Sequence, residues 1–179
     1  MSLTHRNAPV PKVLISREEI ERRIAELAAE INRDYRDSEK LIAVGVLKGS
    51  VFFLVDLLKH LEVPVAVDFF QTSSYGNSTE AGEVRIRKDL DLSIRGSDVL
   101  LIEDIVDTGY TLRTILDLLR FRGARTVKLC ALLDKPSRRR VEVPIDYLGF
   151  SIDDHFVIGY GLDYAEHYRN LPYIGIYEG

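Results

Sequence analysis

One stretch constrains this chain more than any other: Val99-Leu100-Leu101-Ile102-Glu103-Asp104-Ile105-Val106-Asp107-Thr108-Gly109-Tyr110-Thr111-Leu112. The apolar, partly β-branched start reads as a buried strand, Asp98–Ile102, running into two adjacent carboxylates at its exposed end. A short loop with a third carboxylate, two hydroxyls and a glycine leads into a helix over Thr111–Phe121, closed by Gly123. Backbone N–H groups at a helix start, joined by threonine hydroxyls, suit a phosphate, and Gly109 lets the backbone approach it closely. Three carboxylates would repel that phosphate unless they serve other groups, for which sugar hydroxyls and Mg²⁺ are the natural candidates. An ordinary strand end with an N-capped helix accounts for Asp107 or Thr108 taken singly. It does not call for the adjacent Glu103-Asp104 pair.

The rest of the chain supplies a frame for this strand. Ser16-Arg17-Glu18-Glu19 reads as a capping box, followed by Ile20, Ile24, Leu27, Ala28, Ile31 and Tyr35 at helical spacing. Leu41–Val46 reads as a buried strand, Leu47-Lys48-Gly49-Ser50 as a break, Val51–Leu61 as a helix and Val63–Phe70 as the next strand. That order implies a parallel crossover. Thr72–Gly82 is small, polar and aperiodic, a long loop of the kind used as a lid, and Val84–Leu90 alternates like a hairpin arm. A further strand, Val127–Leu133, ends at Asp134-Lys135. The last third offers short strands at Tyr147–Phe150, Phe156–Gly159 and Tyr173–Tyr177. The expected architecture is α/β: an open, mainly parallel twisted sheet flanked by helices. A small β-rich hood, built from the N-terminal segment and the C-terminal third, completes one domain over residues 1–179. Ligands of such sheets bind beyond the carboxyl ends of the strands, which gathers the polar breaks after Val46, Ile102 and Leu133.

Composition narrows the function classes. The chain is 46% hydrophobic and 29% charged, enough for a core and a water-facing surface. No apolar run approaches the length of a membrane span, and the first residues lack a signal-peptide pattern, so a cytoplasmic protein with no membrane association is expected. The single cysteine, Cys130, rules out an intramolecular disulfide and sits in an apolar run, as a buried small residue would. The net charge of −4 argues against general nucleic-acid binding, and Arg138-Arg139-Arg140 reads as a solvated turn rather than a nucleic-acid patch. Four histidines without paired spacing make zinc a poor fit. A P-loop pattern is absent, and Gly159-Tyr160-Gly161 lacks the third glycine of a dinucleotide fingerprint.

The string at 99–112 resembles the phosphoribosyl pyrophosphate signature of the type I phosphoribosyltransferases. Other segments are similar to the hypoxanthine/guanine branch of that family and together cover most of the chain. The resemblance implies that Glu103 and Asp104 hold the ribose hydroxyls and help position Mg²⁺. It implies that Thr108, Gly109, Tyr110 and Thr111 cradle the 5′-phosphate, and that Asp107 accepts the N7 proton of the purine. Leu47-Lys48-Gly49-Ser50 resembles the pyrophosphate-binding loop, in which the peptide before the lysine can be cis. Ser74-Tyr75-Gly76 resembles the mobile loop that closes over the reacting centre, and Lys135 the lysine that hydrogen-bonds the purine 6-oxo group. Phe156-Val157 resembles the shelf on which the base stacks. The segment Gly159–Pro172 matches the C-terminal hallmark of the branch, where Asp163 binds Mg²⁺ and Arg169 contacts pyrophosphate. The implied substrates are phosphoribosyl pyrophosphate with hypoxanthine or guanine, and the implied assembly is a homodimer or homotetramer.

Bland readings stand beside these. Leu47–Ser50 also suits a strand-to-helix turn with a solvated lysine, Ser74–Gly76 a disordered surface loop, and Phe156 plain core. Tyr110 stands where some relatives carry lysine, as does His155, so phosphate binding would rest on backbone and threonine contacts. Two functional alternatives remain: a same-fold enzyme that uses another base, and a phosphoribosyl pyrophosphate-responsive regulator that binds RNA or DNA without catalysis.

Overall fold

The computed structural model describes residues 11–74 and 84–178. The capping box forms as expected: Ser16 Oγ accepts from the Glu19 amide at 3.2 Å, and Glu19 accepts from the Ser16 amide at 2.8 Å. It opens helix α1 (Arg17–Asp34), which follows strand β1 (Lys12–Ile15). Strand β2 (Leu41–Val46) is buried along its whole length. Helix α2 spans Val51–Leu58, stopping short of the expected Leu61. The chain there tightens into three-residue closures, His60 N to Leu57 O and Leu61 N to Leu58 O, which satisfy the last carbonyls.

Strand β3 (Val65–Ser74) turns back antiparallel into β4 (Val84–Lys88). Thr72–Ser74 therefore belong to a strand, held by pairing with Val84–Ile86, and not to the loop suggested by their polarity. Tyr75 and the remainder of that loop to Gly82 lie outside the described residues. Strand β5 (Asp98–Val106) is followed by helix α3 (Tyr110–Phe121) and strand β6 (Thr126–Asp134). The last strands are β7 (Tyr147–Ser151), β8 (Val157–Ile158) and β9 (Ile174–Ile176).

Six strands make one sheet in the order β4-β3-β2-β5-β6-β7, parallel except for β4. Strands β1, β9 and β8 make a separate antiparallel sheet. Two boundaries differ from expectation. Strand β5 continues past Ile102 because β6 keeps pairing with it as far as Val106↔Asp134, so Glu103 and Asp104 lie within the strand rather than at its tip. Strand β7 extends the main sheet beside β6 instead of joining the small one.

The period of two along the strands divides the core. Leu41, Ala43, Leu100 and Ile102 pack with Ile20, Ile24 and Leu27 of α1 and Phe53, Leu54 and Leu57 of α2. Ile42, Val44, Val99 and Leu101 pack with Leu112, Ile115, Leu116 and Leu119 of α3. Cys130 is fully buried in the first of these clusters, and burial pushes its thiol pKa up, as its apolar neighbours in the sequence suggest. At the start of β5, Asp98 accepts from Ser38, Thr126 and Arg125, and the Arg125 pairing holds its carboxyl well below the usual range. Among the described residues, no helix is long and apolar enough to cross a membrane. From β2 the chain moves outward to β3, then returns to place β5 on the other side of β2. This reversal sets the loops after β2 and β5 next to each other at one edge.

Candidate active site

Two loops and the C-terminal segment meet at that edge. The first, after β2, contains a cis peptide between Leu47 and Lys48. Its Gly49 is pinched from two sides. A Cβ there would fall inside the Asp104 carboxylate, and a Cβ on Gly161 would fall on the Gly49 carbonyl oxygen. The turn at Leu47–Ser50 is thus a contact point between β5 and the C-terminal segment.

The second loop joins β5 to α3. Gly109 is the N-cap of α3 with φ 93°, a left-handed conformation that favours glycine. A side chain at this position would also meet the Val141 carbonyl. The Thr108 carbonyl accepts from the Arg140 and Val141 amides at 2.9 and 3.1 Å, which fixes the loop. No side chain caps the helix, so its first N–H groups, beside Thr108, Tyr110 and Thr111, are presented to an anion. The alternative of an Asp or Thr N-cap does not hold.

A cavity of about 450 Å³ opens beside these loops, lined by Asp104, Asp107, Lys135, Arg138, Asp154, Phe156, Val157 and Asp163 among others. It draws together residues from β5, the end of β6, β8 and the C-terminal segment. Lys135 is buried, with Nζ 3.6 Å from Asp154. Phe156 is 54% exposed, so the plain-core reading fails; its ring meets Tyr164 and Tyr177 edge-on at 5.9 and 6.0 Å. An exposed aromatic face braced from behind is suited to stacking a flat ring.

Not every expected residue reaches this cavity. Glu103 is buried beneath it and accepts from the Asp104 amide at 3.1 Å. Burial, with the neighbouring Asp104 charge, raises its carboxyl pKa well above the ordinary range. Gly49 and Arg169 border the cavity through Asp104 and Asp163, and Lys48 pairs with Glu166 beside them. Arg169 donates to the Gly161 carbonyl at 2.7 Å and lies 3.0 Å from Asp163. Ser74 ends β3, and Tyr75 lies outside the described residues.

The arginine run forms a turn, as its sequence suggests, but Arg138 and Arg139 are held by carboxylates rather than left to solvent. Arg138 ends a short 3-10 turn, Pro136–Arg138, and donates to Asp107 at 3.1 Å, with Asp154 at 3.7 Å. Arg139 pairs with Asp134. Only their spacing after Lys135 could have pointed to the site. Asp154 was also missed; its clue was its place two residues before Phe156.

Asp104 and Asp163 supply hard oxygen donors on opposite elements of one cavity, which fits Mg²⁺. That ion takes one or two carboxylates and fills its shell with water and substrate oxygens. Among the described residues no three carboxylate, histidine or cysteine groups form a ready cage, so substrate oxygens would complete the shell.

Comparison with known proteins agrees with this geometry. The phosphoribosyl transferase domain model matches residues 15–165. The chain is 53% identical over 168 residues to the hypoxanthine-guanine phosphoribosyltransferase of Bacillus subtilis, covering 93% of each. It is 50% identical to the hypoxanthine phosphoribosyltransferase of Haemophilus influenzae, covering 91% of this chain and 93% of that one. The crystal structure of a hypoxanthine phosphoribosyltransferase from Staphylococcus aureus superposes with a TM-score of 0.89 at 45% identity, covering 98% of this chain and 94% of that one. On these matches the chain belongs to the phosphoribosyltransferase family, in the branch of the hypoxanthine and hypoxanthine-guanine phosphoribosyltransferases.

Proposed function

We propose that this enzyme serves purine salvage by transferring the 5-phosphoribosyl group from phosphoribosyl pyrophosphate to N9 of hypoxanthine or guanine, yielding IMP or GMP and pyrophosphate. One observation carries the reading: Asp104 and Asp107 of the signature segment line the same cavity as Lys135 and the exposed Phe156 ring. Sugar-phosphate chemistry and base recognition thus share a single space.

In this reading Phe156 stacks the purine, the Val157 backbone reads its edge, and the Lys135 ammonium donates to the 6-oxo group. The last contact favours oxopurines over adenine, whose 6-amino group is itself a donor. The Thr108–Thr111 turn and the start of α3 hold the 5′-phosphate, while Asp104 takes the ribose hydroxyls with Glu103 buried behind it. Lys48, the Gly49 amide and Arg169 hold the diphosphate. The C1–oxygen bond breaks with its electron pair leaving on the diphosphate, N9 bonds to C1, and Asp107 accepts the N7 proton. Mg²⁺ bound by Asp104 and Asp163, with Glu103 behind them, would supply positive charge to the departing oxygens. Ser74 ends the strand that leads into the segment expected, from Ser74-Tyr75-Gly76, to shield the reacting centre from water. The whole chain, residues 1–179, acts as one domain with the small sheet as its hood, in a cytoplasmic homodimer or homotetramer.

Steady-state assays with phosphoribosyl pyrophosphate and each common base, with and without Mg²⁺, test this. Metal-dependent turnover of hypoxanthine and guanine is expected. Preference for xanthine, adenine or a pyrimidine would overturn the substrate assignment, and ligand-dependent RNA or DNA retention without turnover would replace the enzyme by a regulator.

A further inference from the structure

The two side chains assigned to the diphosphate already share an anion. Glu166 Oε2 lies 2.7 Å from Lys48 Nζ and 3.6 Å from Arg169 Nη2. Its amide donates to Asp163 at 2.8 Å, and Asp163 in turn pairs with Arg169. Nothing in the reaction described above uses Glu166. Its carboxylate nevertheless occupies the space between two cations that come from opposite ends of the chain.

Backbone geometry makes this placement unusual. Ala165, Glu166 and Tyr168 all adopt left-handed φ angles, 50°, 67° and 73°, a conformation costly for residues with a Cβ. The short run that carries the carboxylate to the cations is therefore held against local preference. This arrangement also leaves the buried Arg169 Nε without a hydrogen-bond partner among the described residues. The Lys48–Glu166 pair is exposed, at 55% and 65%. Exposed ion pairs are weak, so a ligand bearing several negative charges can displace this one.

We propose that Glu166 is a tethered placeholder for the diphosphate: it neutralises Lys48 and Arg169 in the free enzyme, must swing away when a diphosphate enters, and so sets the affinity for that group. This rests on the assignment of Lys48 and Arg169 to the diphosphate. It adds a residue that determines how tightly the donor is held and how readily pyrophosphate leaves. A carboxylate returning to the two cations would compete with the product.

The test measures dissociation constants of magnesium pyrophosphate by calorimetry for the wild-type protein and for Glu166→Gln, which keeps the shape and removes the charge. Removal of a weak competing ion pair should tighten pyrophosphate about two- to fivefold. The KM for phosphoribosyl pyrophosphate should fall in step, while IMP, whose phosphate sits in the Thr108–Thr111 turn, should bind as before. In a Lys48→Met background the Gln substitution should have much less effect. Unchanged or weaker pyrophosphate binding in Glu166→Gln would overturn the proposal, as would an equal change for IMP. The parent assignment is judged separately. If Lys48→Met and Arg169→Met alone leave pyrophosphate binding intact, it is the diphosphate pocket that fails. If those two weaken it and Glu166→Gln does not tighten it, only the placeholder fails.

Discussion

The carboxylate of Asp104 rests on the α-carbon of Gly49, so that any side chain at 49 would have to displace it. This contact joins the signature strand to the loop after β2 and leaves room for nothing larger than hydrogen. Gly49→Ala should push Asp104 from its place in the cavity while leaving the apolar layers untouched. A displacement of this kind far exceeds what a reacting geometry tolerates, and kcat/KM for phosphoribosyl pyrophosphate should fall by about 10²-fold. Near-normal kinetics in a folded Gly49→Ala protein would show that the Asp104 position is not critical.

Asp107 is the proposed acceptor of the purine proton. Asp107→Asn keeps size and hydrogen bonding but removes the base, and turnover should drop by about 10²–10⁴-fold. IMP binding, measured by calorimetry, should change far less. Wild-type turnover in this variant would remove Asp107 from that role.

Arg138 holds the Asp107 carboxylate at 3.1 Å, and this pairing raises the guanidinium pKa further. The side chain acts as a positioning residue, fixing the rotamer of the acceptor. Loss of one charge-assisted hydrogen bond in Arg138→Gln should lower kcat/KM for the purine about tenfold or more. The KM for phosphoribosyl pyrophosphate should stay near its original value, and Arg138→Lys should recover part of the loss. An effect confined to the donor substrate would contradict the assignment.

Glu103 presents a conflict between stability and function. Burial and the Asp104 charge raise its folded-state pKa well above the ordinary value, so folding favours the protonated acid. That preference costs nothing at low pH. Stability falls as pH rises past the unfolded carboxyl value of about 4.3 toward the raised folded value. Glu103→Gln removes this burden, so the metal-free protein should gain stability at neutral pH, read as a higher Tm. The gain should vanish in acid, and catalysis should suffer because Asp104 loses the carboxylate that accepts from its amide. Equal Tm differences at pH 4 and pH 8 would show that the buried acid is not the cause.

Local chemistry made much of this molecule readable. Ser16 and Glu19 announce α1, and the apolar spacing of Ile20 to Ile31 orients it, because both signals lie within a few turns of one helix. The buried strands were visible for the same reason, and the signature segment named its own chemistry. What escaped depends on distant partners. Strand β5 outruns its apolar run because β6 lies beside it, and β7 joins the main sheet through Cys130↔Tyr147 and its neighbours. Arg138 looked solvated because Asp107 and Asp154, which hold it, are remote in sequence. Glu166 is a similar case, drawn to a lysine over a hundred positions away.

The lone cysteine at 130, sealed inside β6, has a practical bearing on all of these experiments. A thiol shut away from solvent and held in its unreactive form gives maleimide dyes and spin labels nothing to attack. Any cysteine introduced at the surface would therefore be the one accessible thiol of the folded protein. Placed on the segment around Glu166, a single fluorophore could follow that segment in real time as pyrophosphate arrives and departs.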